Sequence, residues 1–401
     1  MRLRTGAVAA VVALLTASVA ACGSSGGSSS SSSSSSASTK GPYVIGFMNI
    51  LSGPASIPGE TDPIELAATQ INAKGGIDGR QVEIKSYDVG LTATTALTAT
   101  RLALSQGVDA LIGYPIDAGL TASFPLIKQA DIPVLTLGEG PTTSQGALKS
   151  NIAWSVTVQS DEEANISAQY FEDTLHATSI GLTNSEDANP VEGNQYVEQY
   201  SKQLGISHFV NEQYPETVTD LTAQVLDIKS VSADEQWGYP QNDALLVRQM
   251  YQNGEGNIPV MLSTAGSYEW GTRAIPANET AHITYVSSCA GLYDPANSVA
   301  AAFTKSLHTA YPSIVYPETY QPGTYDAAFI LAQAIEAGKS FGTSSITAQL
   351  KTLTYQGVCG TYHANADGAM LNQLSVVSLA NYQPQILKTY SNLTSSYSAL
   401  G

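Results

Sequence analysis

The chain has 401 residues, of which 43% are hydrophobic and 13% are charged, and its formal net charge is −17. This acidic balance argues against binding to nucleic acid and against recognition of anionic lipid through a basic patch. A chain of this length can hold two medium-sized domains, each with its own core.

The N-terminal segment has the composition of an export signal. Arg2 and Arg4 precede an uncharged, apolar run over residues 7–21 that is too short to span a bilayer comfortably. The ending Val19-Ala20-Ala21-Cys22 resembles the lipobox of bacterial lipoproteins. That resemblance implies a signal peptide over residues 1–21 and a diacylglycerol on the Cys22 thiol. A plain secretory signal with an incidental cysteine is the alternative.

Residues 22–40 contain the cysteine and a tract made almost only of Ser, Gly and Ala. Such a tract cannot bury apolar surface, and it predicts a flexible tether with a root-mean-square reach of roughly 20–25 Å. No apolar stretch after residue 22 approaches transmembrane length. We therefore expect an exported body that is lipid-anchored on the outer face of the cytoplasmic membrane.

Strand and helix patterns alternate from residue 43 onward. Residues 43–49 form an apolar run suited to a buried parallel strand, and Asp62 and Pro63 suit the cap and first turn of a helix. A second helix is predicted over residues 94–106, and the segment "DALIG" reads as the next strand. This β-α-β-α order, repeating roughly every 25–35 residues, predicts a parallel, doubly wound sheet.

The same order begins again after Ala153. Helical patterns such as "DEEANISAQYFEDTL" and "NDALLVRQMYQNG" alternate with strand patterns such as "TSIGLTNS", "ADEQWG" and "IPVMLST". The sequence therefore predicts a second α/β unit of similar size, and so a molecule of two lobes.

Several segments resemble one known family. They are "SGP", "ELAATQINAKGGIDGRQVEIKSYD", "DALIG", "YQPGTYDAAFILAQAIEAG" and "YQGVCGTYHANADG". Over residues 43 to 390 the chain resembles the solute-binding proteins of branched-chain amino-acid ABC importers. The resemblance implies a type I periplasmic-binding fold, in which two doubly wound lobes are joined by a three-segment hinge. It also implies a monomer that binds a small molecule and meets a membrane permease.

The resemblance gives a map of the two lobes. Lobe one would comprise residues 41–156 and 289–355, and lobe two residues 157–288 and 356–392, with a C-terminal tail over 393–401. Cys289 and Cys359 would then lie near the hinge. An exported chain with two remaining cysteines favours a disulfide between them, and two buried free thiols are the alternative.

The turns that follow the predicted strands supply the candidate ligand-binding residues, because open parallel sheets bind ligands at the carboxyl ends of their strands. In lobe one these are Ser52, Gly53, Tyr114, Pro115, Asp117, Gly138 and Glu139. In lobe two they are Pro190, Trp237, Tyr239, Thr264 and Ala265. Each has a structural alternative: a simple turn for Ser52-Gly53, core positions for Tyr114 and Trp237, and solvated loop charges for Asp117 and Glu139.

The candidate residues also bear on the ligand. Relatives that bind amino acids hold the ligand carboxylate with a small hydroxyl where this chain has Asp117 and Ala118. They hold the ammonium with an acid where Thr264 or Ala265 stands, although Glu269 lies nearby. Because Asp117 would repel a carboxylate, an amide, amine, polyol or aromatic compound is favoured over an amino acid.

The sequence is compatible with three functions. The first is capture of a small polar solute by hinge closure and its delivery to an ABC importer. The second is a ligand-sensing receptor on the same fold, and the third is an exported hydrolase. The chain has no Gly-x-Ser-x-Gly elbow, His-Glu-x-x-His, phosphate loop or Cys-x-x-Cys. We therefore predict that it is not an enzyme, and that it has no catalytic residues, cofactor, metal or nucleic-acid partner.

Overall fold

The computed structural model describes residues 41–53, 56, 59–140, 147–314, 320–366, 368–371 and 373–393. The predicted signal peptide, Cys22 and the tether lie outside the described residues, as do residues 394–401 of the predicted tail. No helix within the described ranges is both long and apolar enough to cross a membrane.

The first sheet has five parallel strands in the order β2-β1-β3-β4-β5. They are β1 (Tyr43–Asn49), β2 (Val82–Asp88), β3 (Ala110–Gly113), β4 (Val134–Thr136) and β5 (Ala153–Ser155). The helices between them are α1 (Asp62–Ala73), α2 (Ala93–Ser105) and α3 (Asp117–Ala130). Every residue of β1 and β3 is buried, as expected for parallel strands covered on both faces.

The second sheet has seven strands in the order β14-β13-β10-β9-β8-β6-β7. Its parallel strands are β6 (Ser179–Ser185), β7 (His208–Tyr214), β8 (Ala233–Trp237), β9 (Val260–Leu262) and β10 (Ile283–Ser287). Its antiparallel strands are β13 (Gln373–Ser378) and β14 (Gln385–Ser391). The helices of this part are α4 (Ser160–Asp173), α5 (Ala188–Gln203), α6 (Thr222–Ile228), α7 (Pro240–Gln252) and α8 (Glu269–Thr272).

The chain passes between the two sheets more than once. After β10 come α9 (Ser298–Ala310), α10 (Tyr320–Gly338) and α11 (Thr343–Leu350), and α10 packs against α1 and β3 of the first sheet. A hairpin of β11 (Thr354–Gln356) and β12 (Thr361–His363) then precedes the return to the second sheet at β13. Each sheet with its helices is therefore built from discontinuous segments, while the lobe boundaries given above stay predictions.

The two sheets share part of one apolar core. Phe47 of β1, Trp154 of β5, Phe171 of α4 and Val376 of β13 all belong to the largest buried cluster. Burial of one large apolar side chain contributes about 1.5–3 kcal/mol. This shared cluster therefore packs α4 and β13 against strands of the first sheet.

The α/β fold with two parallel-dominated sheets confirms the predicted fold class. The antiparallel pair β13 and β14 had no counterpart in the prediction of purely parallel sheets. Only residues 379–384 connect these two strands. A parallel crossover needs a dozen or more residues, so this short connection requires the antiparallel arrangement.

Candidate ligand-binding site

The first turn of α4 lies against the loop that follows β4. The Ser160 backbone N–H donates a hydrogen bond to the Glu139 carbonyl oxygen at 2.9 Å. The Gln159 side-chain amide donates to Ser155 Oγ at 3.2 Å and to the Gly138 carbonyl oxygen at 3.4 Å. The carboxyl edge of the first sheet therefore meets the start of α4.

The second sheet reaches the same turn of α4 from another side. Thr264 lies two residues after the end of β9, and its backbone N–H donates to Glu163 Oε1 at 2.5 Å. Thr264 and Glu163 are both buried. Loops from the carboxyl ends of β4 and β9 thus converge on one turn of one helix, which is where a parallel α/β fold places ligands.

Glu163 is fully buried beside other carboxyl groups. Burial raises its pKa well above the usual range, and the nearby carboxyls of Glu139 and Glu235 raise it further. Hydrogen bonds from Thr264 oppose this shift. Glu139 is itself 8% exposed, and its Oε1 accepts a hydrogen bond from the Thr157 hydroxyl at 3.2 Å.

A second group of acids lies across the boundary between the sheets. Burial raises the pKa of Glu192 on α5. The nearby carboxyls of Asp117 on α3 and Asp161 on α4 raise it further. Asp117 also lies against Gly140, where an added Cβ would be 1.9 Å from Asp117 Oδ2. A larger residue at position 140 would therefore require that carboxylate to move. The site is therefore built mainly from carboxyl groups.

The structure brings together four of the residues predicted from the sequence. Glu139 and Thr264 both flank Glu163, and Gly138 accepts the hydrogen bond from Gln159 beside them. Asp117 belongs to the adjoining acidic group around Glu192. Whether these residues contact a ligand stays a prediction.

The predicted cleft-facing orientation of Tyr114 is corrected by the structure. Its side chain is fully buried in the layer formed with α2 and α3, and its hydroxyl lies 2.7 Å from Thr100 Oγ1. The backbone causes this orientation, because Gly113 has φ 128° and Tyr114 itself has φ 59°. A Cβ at Gly113 would lie 2.1 Å from the Met48 carbonyl oxygen, so the turn requires glycine there.

Trp237 is also directed into the core instead of a cleft. Its ring is 3% exposed and packs against Gly193 of α5. Its indole N–H donates to Glu235 Oε1 at 2.7 Å, and the same oxygen accepts a hydrogen bond from the Ser167 hydroxyl of α4 at 3.0 Å. The Glu235 carboxylate thus links the indole to α4, while the ring itself packs on α5.

The remaining predicted residues occupy separate strand-end turns. Ser52 and Gly53 are exposed after β1, where the Ser52 hydroxyl donates to the Asp88 carboxylate at the end of β2. Pro115 and Ala265 are half-buried, and Pro190 is buried in the first turn of α5. Tyr239 is half-buried before α7; burial, with Asp187 and Glu216 nearby, raises its pKa to about 12.

Sequence reasoning did not select Asp161, Glu163 or Glu192. The first two belong to the "SDEE" start of α4, and acidic residues in a helical first turn are usually explained by the helix dipole. The available signal for Asp161 and Glu163 was their position in the first helix after β5. Both are fully buried, which an acidic helix start on the surface would not be.

The predicted disulfide between Cys289 and Cys359 is confirmed. It joins the segment after β10 to the loop between β11 and β12, across 70 residues of sequence. Two of the segments that pass between the sheets are therefore covalently tied.

One cavity is lined by α4 and by the end of β14, and it includes Glu162, the neighbour of Glu163 in the sequence. It has a volume of about 280 Å³ and is lined by Glu162, Asn165, Gln169, Tyr390, Ser391, Asn392 and Leu393. These residues come from α4 and from the end of β14, not from the strand-end turns. Among the described residues, no group of three or more His, Cys, Asp or Glu side chains is arranged to hold a metal ion.

Comparison with known proteins identifies the family. The family model described as "Periplasmic binding protein" matches residues 42–383. The chain belongs to the periplasmic binding protein family. Its members are binding proteins, which agrees with the prediction that this chain is not an enzyme, and they act outside the cytoplasm.

Individual relatives and structures are similar over different lengths. The chain is 23% identical over 250 residues to Leu/Ile/Val-binding protein homolog 7 of Brucella suis, which covers 56% of this chain and 59% of that protein. Its fold is similar to the isoleucine complex of the transporter substrate-binding protein LivJ from Streptococcus pneumoniae, with TM-score 0.76, 21% identity, and 87% and 99% of the two chains covered.

A third comparison is with a solute-binding protein of Rhodopseudomonas palustris in complex with p-hydroxybenzoic acid. Its TM-score is 0.78 at 16% identity, over 88% of this chain and 98% of the other. The two solved structures thus share the fold of this chain but hold chemically different ligands. The predicted resemblance to the branched-chain amino-acid-binding group is confirmed at the level of family and fold.

Proposed function

We propose that this protein captures a small polar solute between its two sheets and delivers it to an ABC importer. Membership of the periplasmic binding protein family supports this proposal. The observation that carries it is the convergence of the β4 and β9 strand-end loops on the first turn of α4, through the Ser160–Glu139 and Thr264–Glu163 hydrogen bonds. A solute lying there would touch both sheets at once.

The mechanism follows from that arrangement. A solute that contacts both halves gains more interactions when they are closed than when they are open, so binding shifts the population toward the closed form. We further propose that the halves correspond to residues 41–156 with 289–355 and to residues 157–288 with 356–392. Lipidation of Cys22 would keep this body at the membrane beside the permease.

A thermal-shift screen tests the capture proposal. The panel contains amino acids, amides, amines, polyols, sugars and aromatic acids, each at several concentrations. A ligand present at one hundred times its dissociation constant stabilises the folded state by about 2.7 kcal/mol. We expect at least one class to raise the melting temperature in a saturable manner. A flat response to the whole panel would contradict capture.

A further inference from the structure

The Glu163 carboxyl is a buried acid that has only one of its two oxygens satisfied. Its Oε1 accepts the Thr264 N–H, whereas Oε2 makes no hydrogen bond with any described residue. The residue is 0% exposed. A buried polar atom without a partner destabilises a protein by about 1–3 kcal/mol, so its retention calls for an explanation.

The groups that face Glu163 come from three other elements. Glu139 follows β4, Glu235 lies on β8, and Thr264 follows β9. The side chains of Glu139 and Glu235 are acidic, and that of Thr264 is neutral. The ion pairs formed among described residues, Arg80–Asp109, Lys85–Glu83, Lys202–Glu198 and Lys388–Asp173, do not include Glu163. The site thus offers acceptors to a ligand from several sides.

On this geometry, and resting on the proposed capture function, we infer that the ligand is an organic amine without a neighbouring carboxylate. Its ammonium group would donate to Glu163 Oε2 and approach the Glu139 carboxyl from the opposite sheet. A protonated amine supplies a positive charge beside these acids and a hydrogen-bond donor for Glu163 Oε2. A carboxylate beside the amine would meet Asp117 and Glu139, and it would be repelled.

The inference has a proton-linked consequence. Burial and the neighbouring acids raise the pKa of Glu163, so this carboxyl keeps its proton in the empty site to a higher pH than an exposed glutamate does. Binding of an ammonium requires the ionised carboxylate, and that proton is released to solvent as the ligand enters. An aliphatic amine stays protonated up to about pH 10. Affinity for the amine should therefore increase as the pH is raised from 5 to 8.

Isothermal titration of the full chain tests the inference. The probes are butylamine and putrescine, with 1-butanol as the uncharged analogue, leucine as the zwitterion and 4-hydroxybenzoate as the anion. We expect saturable binding of an amine at least tenfold tighter than that of the other probes. Titration in buffers of different ionisation enthalpy should show net release of protons on amine binding, because Glu163 binds a proton more strongly than an exposed glutamate does.

Variants separate a role in binding from a role in folding. Glu163→Gln should weaken amine binding at least tenfold and abolish proton release. Asp234→Asn removes an equally buried carboxyl, which accepts a hydrogen bond from the Thr183 hydroxyl. This variant should leave amine affinity and proton release unchanged. If Glu163→Gln fails to fold, the rise in amine affinity between pH 5 and 8 in the unmodified chain decides the matter.

The outcomes distinguish this inference from the capture proposal. Tight binding of leucine, 4-hydroxybenzoate or a neutral solute, with no binding of amines, would overturn only the choice of ligand class. Amine binding without proton release or pH dependence would overturn the assignment to Glu163. The absence of binding by every solute in the broad screen would overturn both.

Discussion

Asp326 of α10 accepts a hydrogen bond from the backbone N–H of Cys359, at 3.1 Å, and so contacts the loop that carries half of the disulfide. The same carboxyl accepts the Val358 N–H at 2.9 Å. Burial raises the pKa of Asp326 to about 7 despite these hydrogen bonds. One acid of the first sheet's helical layer therefore fixes the position of the loop from which the chain returns to the second sheet.

Replacement of Asp326 should destabilise the protein. Asp326→Ala removes the acceptor of two buried backbone N–H groups, and we expect the free energy of unfolding at pH 6 to fall by about 2–4 kcal/mol. Denaturant titration measures the change. Glu336→Ala alters an exposed acid of the same helix, and it should change stability by less than about 0.5 kcal/mol. Equal effects of the two substitutions would contradict the role assigned to Asp326.

Loss of the disulfide should have an effect of similar size. A bond that closes a loop of 70 residues restricts the unfolded chain, so the double variant Cys289→Ser with Cys359→Ser should lose about 3–4 kcal/mol of unfolding free energy. The unmodified protein in reductant should approach the same value. The double variant is also the control, because reductant should not change its free energy of unfolding.

Asp234 should make stability depend on pH. Burial raises its folded-state pKa to about 7, whereas the unfolded value is about 3.9. Between these values the folded chain holds a proton that the unfolded chain releases, so the free energy of unfolding falls as pH rises from about 4 to about 7. Asp234→Asn should reduce that slope by up to about 1.4 kcal/mol per pH unit.

Asp220 provides the matched control for this pH experiment. Hydrogen bonds involving Thr222 lower its pKa, so the contribution of Asp220 is complete above pH 4 and is lost only below it. Asp220→Asn should therefore leave the slope between pH 4 and 7 unchanged. A slope that is the same in Asp234→Asn and in the unmodified protein would show that Asp234 ionises normally in the folded state.

Tyr114→Phe tests the orientation found for this side chain. The substitution removes a hydroxyl that is 2.7 Å from Thr100 Oγ1, and it should lower the free energy of unfolding by about 1 kcal/mol. Solute affinity should not change, because the ring lies in the α2–α3 layer. A tenfold loss of affinity at constant stability would instead restore the ligand-facing role expected from the sequence.

The order of helices and strands was predictable from the sequence because most of it depends on local patterns. The helix predicted over residues 94–106 is observed at Ala93–Ser105, and the strand predicted over 43–49 is observed at Tyr43–Asn49. Both segments have apolar periodicity that is unambiguous over several residues. The disulfide was predictable because only two cysteines remained after Cys22.

The orientation of strand-end side chains was not predictable in the same way. A residue after a strand faces either side of the sheet according to its backbone angles, and the positive φ of Tyr114 reverses the side that alternation would suggest. Glu163 presents a different difficulty. Acids in a first helical turn are usually solvated, and only tertiary packing from Thr264 and Glu139 reveals that this one is enclosed.

The late position of β13 and β14 in the sequence has a consequence for how the molecule is completed. These strands cover the side of β10 that would otherwise be an open sheet edge, and they lie within residues 373–391. Because synthesis begins at the N-terminus, the edge of β10 would stay unpaired until residues 373–391 had been made. Unpaired sheet edges invite pairing with other chains. Nascent molecules would be most vulnerable to aggregation in that interval, and truncation before residue 373 would make the hazard permanent.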